Sequence, residues 1–298
     1  MTDPPSFSDR SAIVTTLRAA GCVFAEDEAQ LLISAAQTPA DLAAMVGRRA
    51  AGLPLEHVLG WAEFCGLRIA VDPGVFVPRR RTEFLVRQAA ALAAPAGQDD
   101  QLAGRGGAPA RKAAGEAGHV GAGGGPASQA QPVVIVDLCC GSGAVGIALA
   151  VALDPVELHA ADVDPAAVTC ACQNLAAVGG QVYQGDLYEP LPAALRGRVG
   201  LLTANVPYIP TEEIGLLPAE ARVHEPRVAL DGGPDGLDVL RRVATAAPQW
   251  LASGGHLLVE TSERQAAHAA GIFAGCGLLP RVASSDELSA TVVIGTRP

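Results

Sequence analysis

Residues able to do chemistry gather at Thr203-Ala204-Asn205-Val206-Pro207-Tyr208, where an apolar, strand-like run ends. An Asn side-chain oxygen and the next backbone carbonyl can together accept both hydrogens of one planar NH2 group, while an aromatic ring packs on its face. The bound group is then an amide or amino nitrogen, and Asn205, Val206, Pro207 and Tyr208 are the candidate catalytic residues. As a bare tetrapeptide, Asn-x-Pro-Tyr is also an ordinary loop, and a Tyr between strands is an ordinary core residue. Its meaning therefore rests on what surrounds it.

Upstream, Val133-Val134-Ile135-Val136-Asp137-Leu138-Cys139-Cys140-Gly141-Ser142-Gly143 reads as a buried strand ending in a Gly-containing turn, followed by a helix-like run from Ala144 to Leu153. Such a turn at a helix N-terminus cradles a nucleotide or carboxylate, because backbone N–H groups point into it and glycine permits close approach. Gly141, Gly143 and Gly146 fit Gly-x-Gly-x-x-Gly by letter, but Asp137, four residues before Gly141, is the commoner mark of an S-adenosylmethionine site. The candidate cofactor residues here are Asp137, Cys139, Cys140, Gly141, Ser142 and Gly143. A second strand, Leu158-His159-Ala160-Ala161-Asp162, puts Asp162 where it can accept from two vicinal ribose hydroxyls. A third, Gln181-Val182-Tyr183-Gln184-Gly185-Asp186-Leu187, ends in an acid suited to the adenine 6-amino group, although Asp186 alone is equally a helix or turn cap. Leu187 and Asn205 complete the cofactor set. Cys139 or Cys140 could also be a nucleophile, since a helix N-terminus would lower a thiol pKa, but neither has an evident base partner.

Acids at the ends of successive strand-helix units, then a strand ending in the Asn claw, describe a doubly wound α/β sheet with its ligand at the strands' carboxyl ends. From about Gly52 to Thr296 the chain also resembles the HemK/PrmC protein-(glutamine-N5) methyltransferases. The likeness is carried by the claw and the turn, by Arg48-Arg49-Ala50-Ala51-Gly52-Leu53-Pro54-Leu55-Glu56-His57-Val58-Leu59-Gly60, by Glu63-Phe64, Val77-Pro78-Arg79 and Thr82-Glu83, and by Glu225-Pro226, Ala229-Leu230 and Gly232-Gly233-Pro234-Asp235-Gly236-Leu237. The resemblance implies a class I S-adenosylmethionine-dependent methyltransferase, a Rossmann-like doubly wound sheet with a small N-terminal helical domain. It implies methyl transfer to the side-chain amide nitrogen (N5) of a glutamine, in the Gly-Gly-Gln loop of a peptide-chain release factor. Asn205 Oδ1 and the Val206 carbonyl would each accept one N–H of that glutamine. Four positions depart from the family pattern: Val206 stands at the first Pro of Asn-Pro-Pro-Tyr, Cys139 at a Gly, Arg81 at an acid and Leu187 at an aromatic. A residue before Pro is confined to extended conformations that a β-branched side chain also prefers, so Val206 can keep the carbonyl's direction. Arg81 beside Arg79 and Arg80 changes the local charge by about two units.

The net charge of −10 argues against a reader of duplex DNA, whose phosphate contacts need a basic face. The Arg79-Arg80-Arg81 run reads as a solvated charge cluster or as a docking point for an acidic or RNA-bound partner. No apolar run reaches the ~18 residues of a membrane span, and the acidic start Met1-Thr2-Asp3 lacks a signal core, so a cytoplasmic protein is expected. Seven scattered cysteines suit a reducing compartment, and neither Cys170-x-Cys172 nor Cys139-Cys140 has metal-ligand spacing. The competing functions are an adenine-N6 nucleic-acid methyltransferase using the same claw on a flipped base, a ribosomal-protein glutamine methyltransferase, and a non-catalytic S-adenosylmethionine-binding module.

The chain divides into residues 1–60, an N-terminal helical substrate-recognition domain; 61–93, a hairpin and linker helix; 94–132, an insertion; and 133–298, the methyltransferase domain. Ile13, Leu17, Leu31, Leu32, Leu42 and Val46 fall at helical spacing, with Ser8, Thr38 and Asp41 near helix starts. Leu67, Ile69 and Val71 alternate as in a hairpin over Glu63 to Val77, and a helix runs from Thr82 to Leu92. Residues 94–132 are dense in Gly, Ala, Gln and Pro, cannot offset their ordering entropy, and are expected to be disordered. Beyond the claw, helices are expected over Leu237 to Leu251 and Glu263 to Ala274, a strand over His256 to Glu260, and a closing hairpin of Leu278 to Ala283 with Thr291 to Gly295.

Overall fold

The computed structural model describes residues 10–93 and 132–298, so Ser8 and the insertion expected over 94–132, apart from Pro132, lie outside the described residues. Four helices come first: α1 (Arg10–Ala19), α2 (Ala25–Ala35), α3 (Pro39–Ala50) and α4 (Leu55–Leu59). Their apolar stripes meet in one cluster built on Ile13, Leu17, Leu32, Met45, Val46 and Val58. The start of α3 follows from its residues: Thr38 Oγ1 accepts the Asp41 N–H at 3.1 Å, and Pro39 fills the first turn, where no N–H is needed. Arg49 Nε and Nη2 reach the two Glu28 oxygens at 2.7 and 3.0 Å, a bidentate pair buried at the edge of this cluster.

The hairpin is shorter than its alternation suggests. β1 (Trp61–Phe64) pairs antiparallel with β2 (Leu67–Ala70), and the chain to Arg79 then runs as coil, although Val71, Val75 and Val77 are buried. Pro73 and Pro78 have no N–H to give to a ladder, which ends the pairing. His57 Nε2 lies 2.8 Å from the Val75 carbonyl and ties α4 to this coil. Helix α5 (Glu83–Ala93) follows.

The rest alternates: β3 (Val133–Leu138), α6 (Ala144–Leu153), β4 (Val156–Asp162), α7 (Pro165–Leu175), β5 (Gln181–Gln184), β6 (Val199–Ala204), α8 (Ala219–His224), α9 (Asp238–Trp250), β7 (Leu251–Thr261), α10 (Glu263–Gly275), β8 (Leu279–Ser285) and β9 (Ala290–Thr296). The sheet order is β5-β4-β3-β6-β7-β9-β8, parallel through β7, with β9 antiparallel to both neighbours. This is the class I methyltransferase architecture. β7 starts five residues earlier than expected, its register against β6 shifting between Val199 and Leu201.

The two-residue period of β3 divides the core. Val134, Val136 and Leu138 pack with Leu240, Val243 and Trp250 of α9 and Phe273 of α10, whereas Ile135 packs with Leu85 of α5 and Leu149 of α6. Asp137 shares the face of Ile135 and so meets α6. Strand order reverses at β3, which opens a crevice between the carboxyl ends of β3 and β6. Residues 205–237 wrap over this opening as α8 and short single turns, a cover the sequence reading assigned to no element. Prolines 207, 210, 218, 226 and 234 interrupt any longer periodicity there. Among the described residues no helix is long and apolar enough to cross a membrane.

Candidate functional site

A cavity of about 470 Å³ occupies the crevice, and its wall includes every candidate residue except Gly143. Gly143 caps α6 with φ 76° and faces α7: a Cβ there would lie 3.2 Å from Leu175 Cγ and 3.3 Å from Ala171 Cβ. It is a packing glycine beneath the turn.

The turn is held from two sides. Asp137, 1% exposed, accepts the Gly146 N–H at 3.1 Å and the Thr203 hydroxyl at 2.9 Å, joining α6 to β6. Burial pushes its carboxyl up to about 7 despite these two donors. Asp162 Oδ2 accepts the Gly141 N–H at 2.8 Å and Oδ1 the Asp164 N–H at 3.0 Å, with burial again raising its pKa. Each Asp162 oxygen keeps a lone pair for a ligand hydroxyl, and an under-solvated carboxylate gains from such donors. Asp186 pairs with Arg242 at 2.6 Å through Oδ2, and its own carbonyl accepts the Glu189 N–H at 3.1 Å, so it also closes a turn. Cys139 and Leu187, two of the departures from the family pattern, sit at φ 53° and 51°, a left-handed conformation costing a non-glycine residue roughly 1–2 kcal/mol. Cys139 and Cys140 are free thiols, the first half-buried and the second buried. Burial, aggravated by Asp162 and Asp137, raises both the Cys139 and the Cys140 thiol rather than lowering them.

The claw is rigidly supported. Gln265 Nε2 donates to the Tyr208 carbonyl at 2.9 Å and to the Asp235 carbonyl at 3.0 Å, and Ile209 exchanges bonds with Leu230 and Gly232 at 3.2 and 2.9 Å. Gly236, at φ 75°, lies against the Tyr208 carbonyl with no room for a Cβ, which gives the Gly232-to-Leu237 motif its physical reason. Val206 is buried in the main core, while the Asn205 side chain, on the cavity wall, makes no hydrogen bond to a described residue. The Tyr208 hydroxyl donates to Glu260 Oε1 at 3.2 Å, and burial raises its pKa, so it is a neutral donor.

Two of the three arginines are paired with carboxylates, while Arg80 is exposed. Arg79 pairs with Glu225, which also accepts the Val77 N–H at 3.3 Å, and Arg81 Nε reaches Glu260 Oε1 at 2.9 Å. Glu225 and Glu260 are buried, and each meets its arginine from far along the chain. Glu260 and Gln265 went unrecognised in the sequence. The only trace of Glu260 is a charge directly after the apolar run Leu257-Leu258-Val259.

Residues 128–209 match the family model for the methyltransferase small domain. The chain is 34% identical over 264 residues to a release factor glutamine methyltransferase of Geobacter sulfurreducens, covering 87% of this chain and 79% of that one. The chain belongs to the release factor glutamine methyltransferase family. A relative of the same name from Mycolicibacterium smegmatis is 33% identical, with 88% and 82% of the two chains covered. The 4-amino-L-phenylalanine/4-methylamino-L-phenylalanine methyltransferase of Streptomyces pristinaespiralis is 32% identical, covering 78% and 69%. The chain is therefore an S-adenosylmethionine-dependent methyltransferase. Its cavity suits that cofactor: unspent lone pairs on Asp162, a backbone turn at the N-terminus of α6, and a volume within the range of small-molecule sites.

Proposed function

We propose that this protein methylates the side-chain amide nitrogen (N5) of a glutamine in the Gly-Gly-Gln loop of a peptide-chain release factor. The observation that carries the reading is Asn205, an unengaged amide side chain on a cavity wall, held on a loop that Gln265 and Gly236 fix in place. Cysteines 139 and 140, Gly141 and Ser142 would hold the amino-acid end of S-adenosylmethionine, Asp162 its ribose and Asp186 with Leu187 its adenine. When bound, the cofactor supplies an electrophilic methyl group.

An amide nitrogen is a poor nucleophile, since its lone pair is shared with the carbonyl. The protein's task is positioning and polarisation. Asn205 Oδ1 and the Val206 carbonyl each accept one N–H, turning the nitrogen's remaining face toward the methyl group. Holding reacting atoms in attack geometry can supply about 7–11 kcal/mol. The two acceptors gain strength as positive charge reaches the nitrogen and are fixed in advance; one of the two N–H protons then leaves to solvent, giving the neutral N-methyl amide. Tyr208 packs on the amide plane, its hydroxyl steadied by Glu260. The helical module of residues 1–60 contributes substrate recognition, and a cytoplasmic location is part of the same reading.

One relative is named for an aromatic amine, 4-amino-L-phenylalanine, so the acceptor is tested directly. The protein is incubated with methyl-labelled cofactor and, separately, a release factor, the same factor with its loop glutamine replaced by alanine, a ribosomal protein, 4-amino-L-phenylalanine and DNA. Label in the intact release factor alone is expected. Label in the alanine form, in another acceptor only, or in none contradicts the proposal.

A further inference from the structure

Among the described residues three buried side-chain oxygens have no hydrogen-bond partner, Thr82 Oγ1, Glu225 Oε2 and Glu260 Oε2, and all three residues line the one cavity. Folded interiors leave few such atoms. Of these, Glu260 is bonded to the claw through the Tyr208 hydroxyl, which brings a polar part of the cavity lining next to the acceptor site.

We propose that Arg81 is the specificity-determining residue of this wall, donating to the carbonyl oxygen of the acceptor amide and so selecting a neutral primary amide. The proposal rests on the glutamine reading above and deepens it. A primary amide carries two N–H donors and one carbonyl acceptor. Asn205 and the Val206 carbonyl satisfy the donors, and a dry site must also supply a donor to the oxygen. Arg79 is committed to Glu225, and Arg242 to Asp186. Arg81 is held by Glu260 and sits against Tyr208, with no hydrogen bond from its terminal nitrogens to a described residue. Its Nε bonds Glu260 Oε1 at 2.9 Å, and the Tyr208 hydroxyl reaches the same oxygen at 3.2 Å. Glu260 is 2% exposed while the Arg81 side chain is 44% exposed, so the anchor is buried and the arginine is only partly covered where it lines the cavity. Its centre stands 5.8 Å from the ring of Tyr208, the claw's own aromatic residue. The terminal nitrogens keep donors in a rigid, permanently charged fork. Paired with Glu260 it leaves the wall neutral overall, which suits an uncharged amide. A carboxylate in the same place would set oxygen against Asn205 Oδ1, and an amine would leave the Arg81 donors unanswered.

The test uses the full chain and a release factor as acceptor, comparing wild type, Arg81→Gln, Arg81→Lys and the double variant Arg81→Gln/Glu260→Gln. For each, acceptor KM and kcat, S-adenosylmethionine affinity by calorimetry and melting temperature are measured. Arg81→Gln is expected to lower kcat/KM for the acceptor by about 10-fold or more, a lost charged donor, with cofactor affinity within about 2-fold of wild type. Lys should recover part of the loss. The double variant, which removes the orphaned Glu260 charge, should stay as impaired as Arg81→Gln. Wild-type kcat/KM in Arg81→Gln, recovery in the double variant, or a loss confined to cofactor affinity would each overturn the proposal while the glutamine reading stands. A wild-type protein that labels no glutamine overturns that reading and this proposal with it.

Discussion

Replacing Asp137 with Asn tests whether the buried carboxyl beneath the turn is a charged or a neutral brace. In the folded chain burial lifts it from an ordinary value of 3.8 to about 7, with the Gly146 N–H and the Thr203 hydroxyl as its partners among the described residues. Between those two values the folded chain holds a proton that the unfolded chain has released. Its contribution to stability is therefore full below the unfolded value, falls as pH rises through the window, and is constant above about pH 7. At 1.36 kcal/mol per pH step, the displacement from 3.8 to about 7 is worth up to about 4 kcal/mol. Asn keeps the shape: its oxygen can accept from Gly146 and its nitrogen can donate to the Thr203 oxygen. Denaturant unfolding of wild type and Asp137→Asn is compared from about pH 4.5 to 8.5. The stability of the variant minus that of wild type should grow by about 2–4 kcal/mol across the range and level off near pH 7 to 8. A difference that stays flat would refute the reasoning, because Asp137 would then be ionised when folded.

Asp162→Ala should weaken S-adenosylmethionine binding by about 1–3 kcal/mol through lost bonds to the ribose, and unchanged affinity by calorimetry removes Asp162 from the cofactor site. Val206→Pro should fold and transfer methyl groups at least as fast as wild type, since the Val206 N–H bonds no described residue and only its carbonyl is used; a folded, cofactor-binding but inactive variant counts against that use. Arg49→Ala should cost about 3–5 kcal/mol in urea unfolding because it strands buried Glu28, and most of the loss should return on adding Glu28→Gln; a cost below about 1 kcal/mol is incompatible with a buried pair.

The sheet and the turn that follows β3 were legible because they are written locally. Runs such as Val133 to Leu138 carry a strand's composition, and the acids that follow them fall where strands end. Partners distant in sequence were not legible. Arg79 and Arg81 meet acids 146 and 179 residues away, and nothing in an arginine run says whether it faces water or a buried carboxylate. Glu225 gained a role only when the coil at Val77 was seen to need an acceptor for its N–H. Gly143 shows a different limit: its letter fits a ligand-facing glycine, yet its missing side chain makes room for α7. The cover over 205–237 was hidden because prolines erase the periodicity by which helices are read.

The central claim is that Asn205 holds the acceptor amide. Single-turnover methyl transfer to a release factor, measured with saturating cofactor for wild type and Asn205→Ala, tests it most directly. The account predicts a rate about 10²-fold lower or worse in the variant, one preorganised acceptor being worth about 3 kcal/mol in a dry site, with S-adenosylmethionine affinity changed far less. An Asn205→Ala protein that transfers the methyl group at the wild-type rate contradicts it.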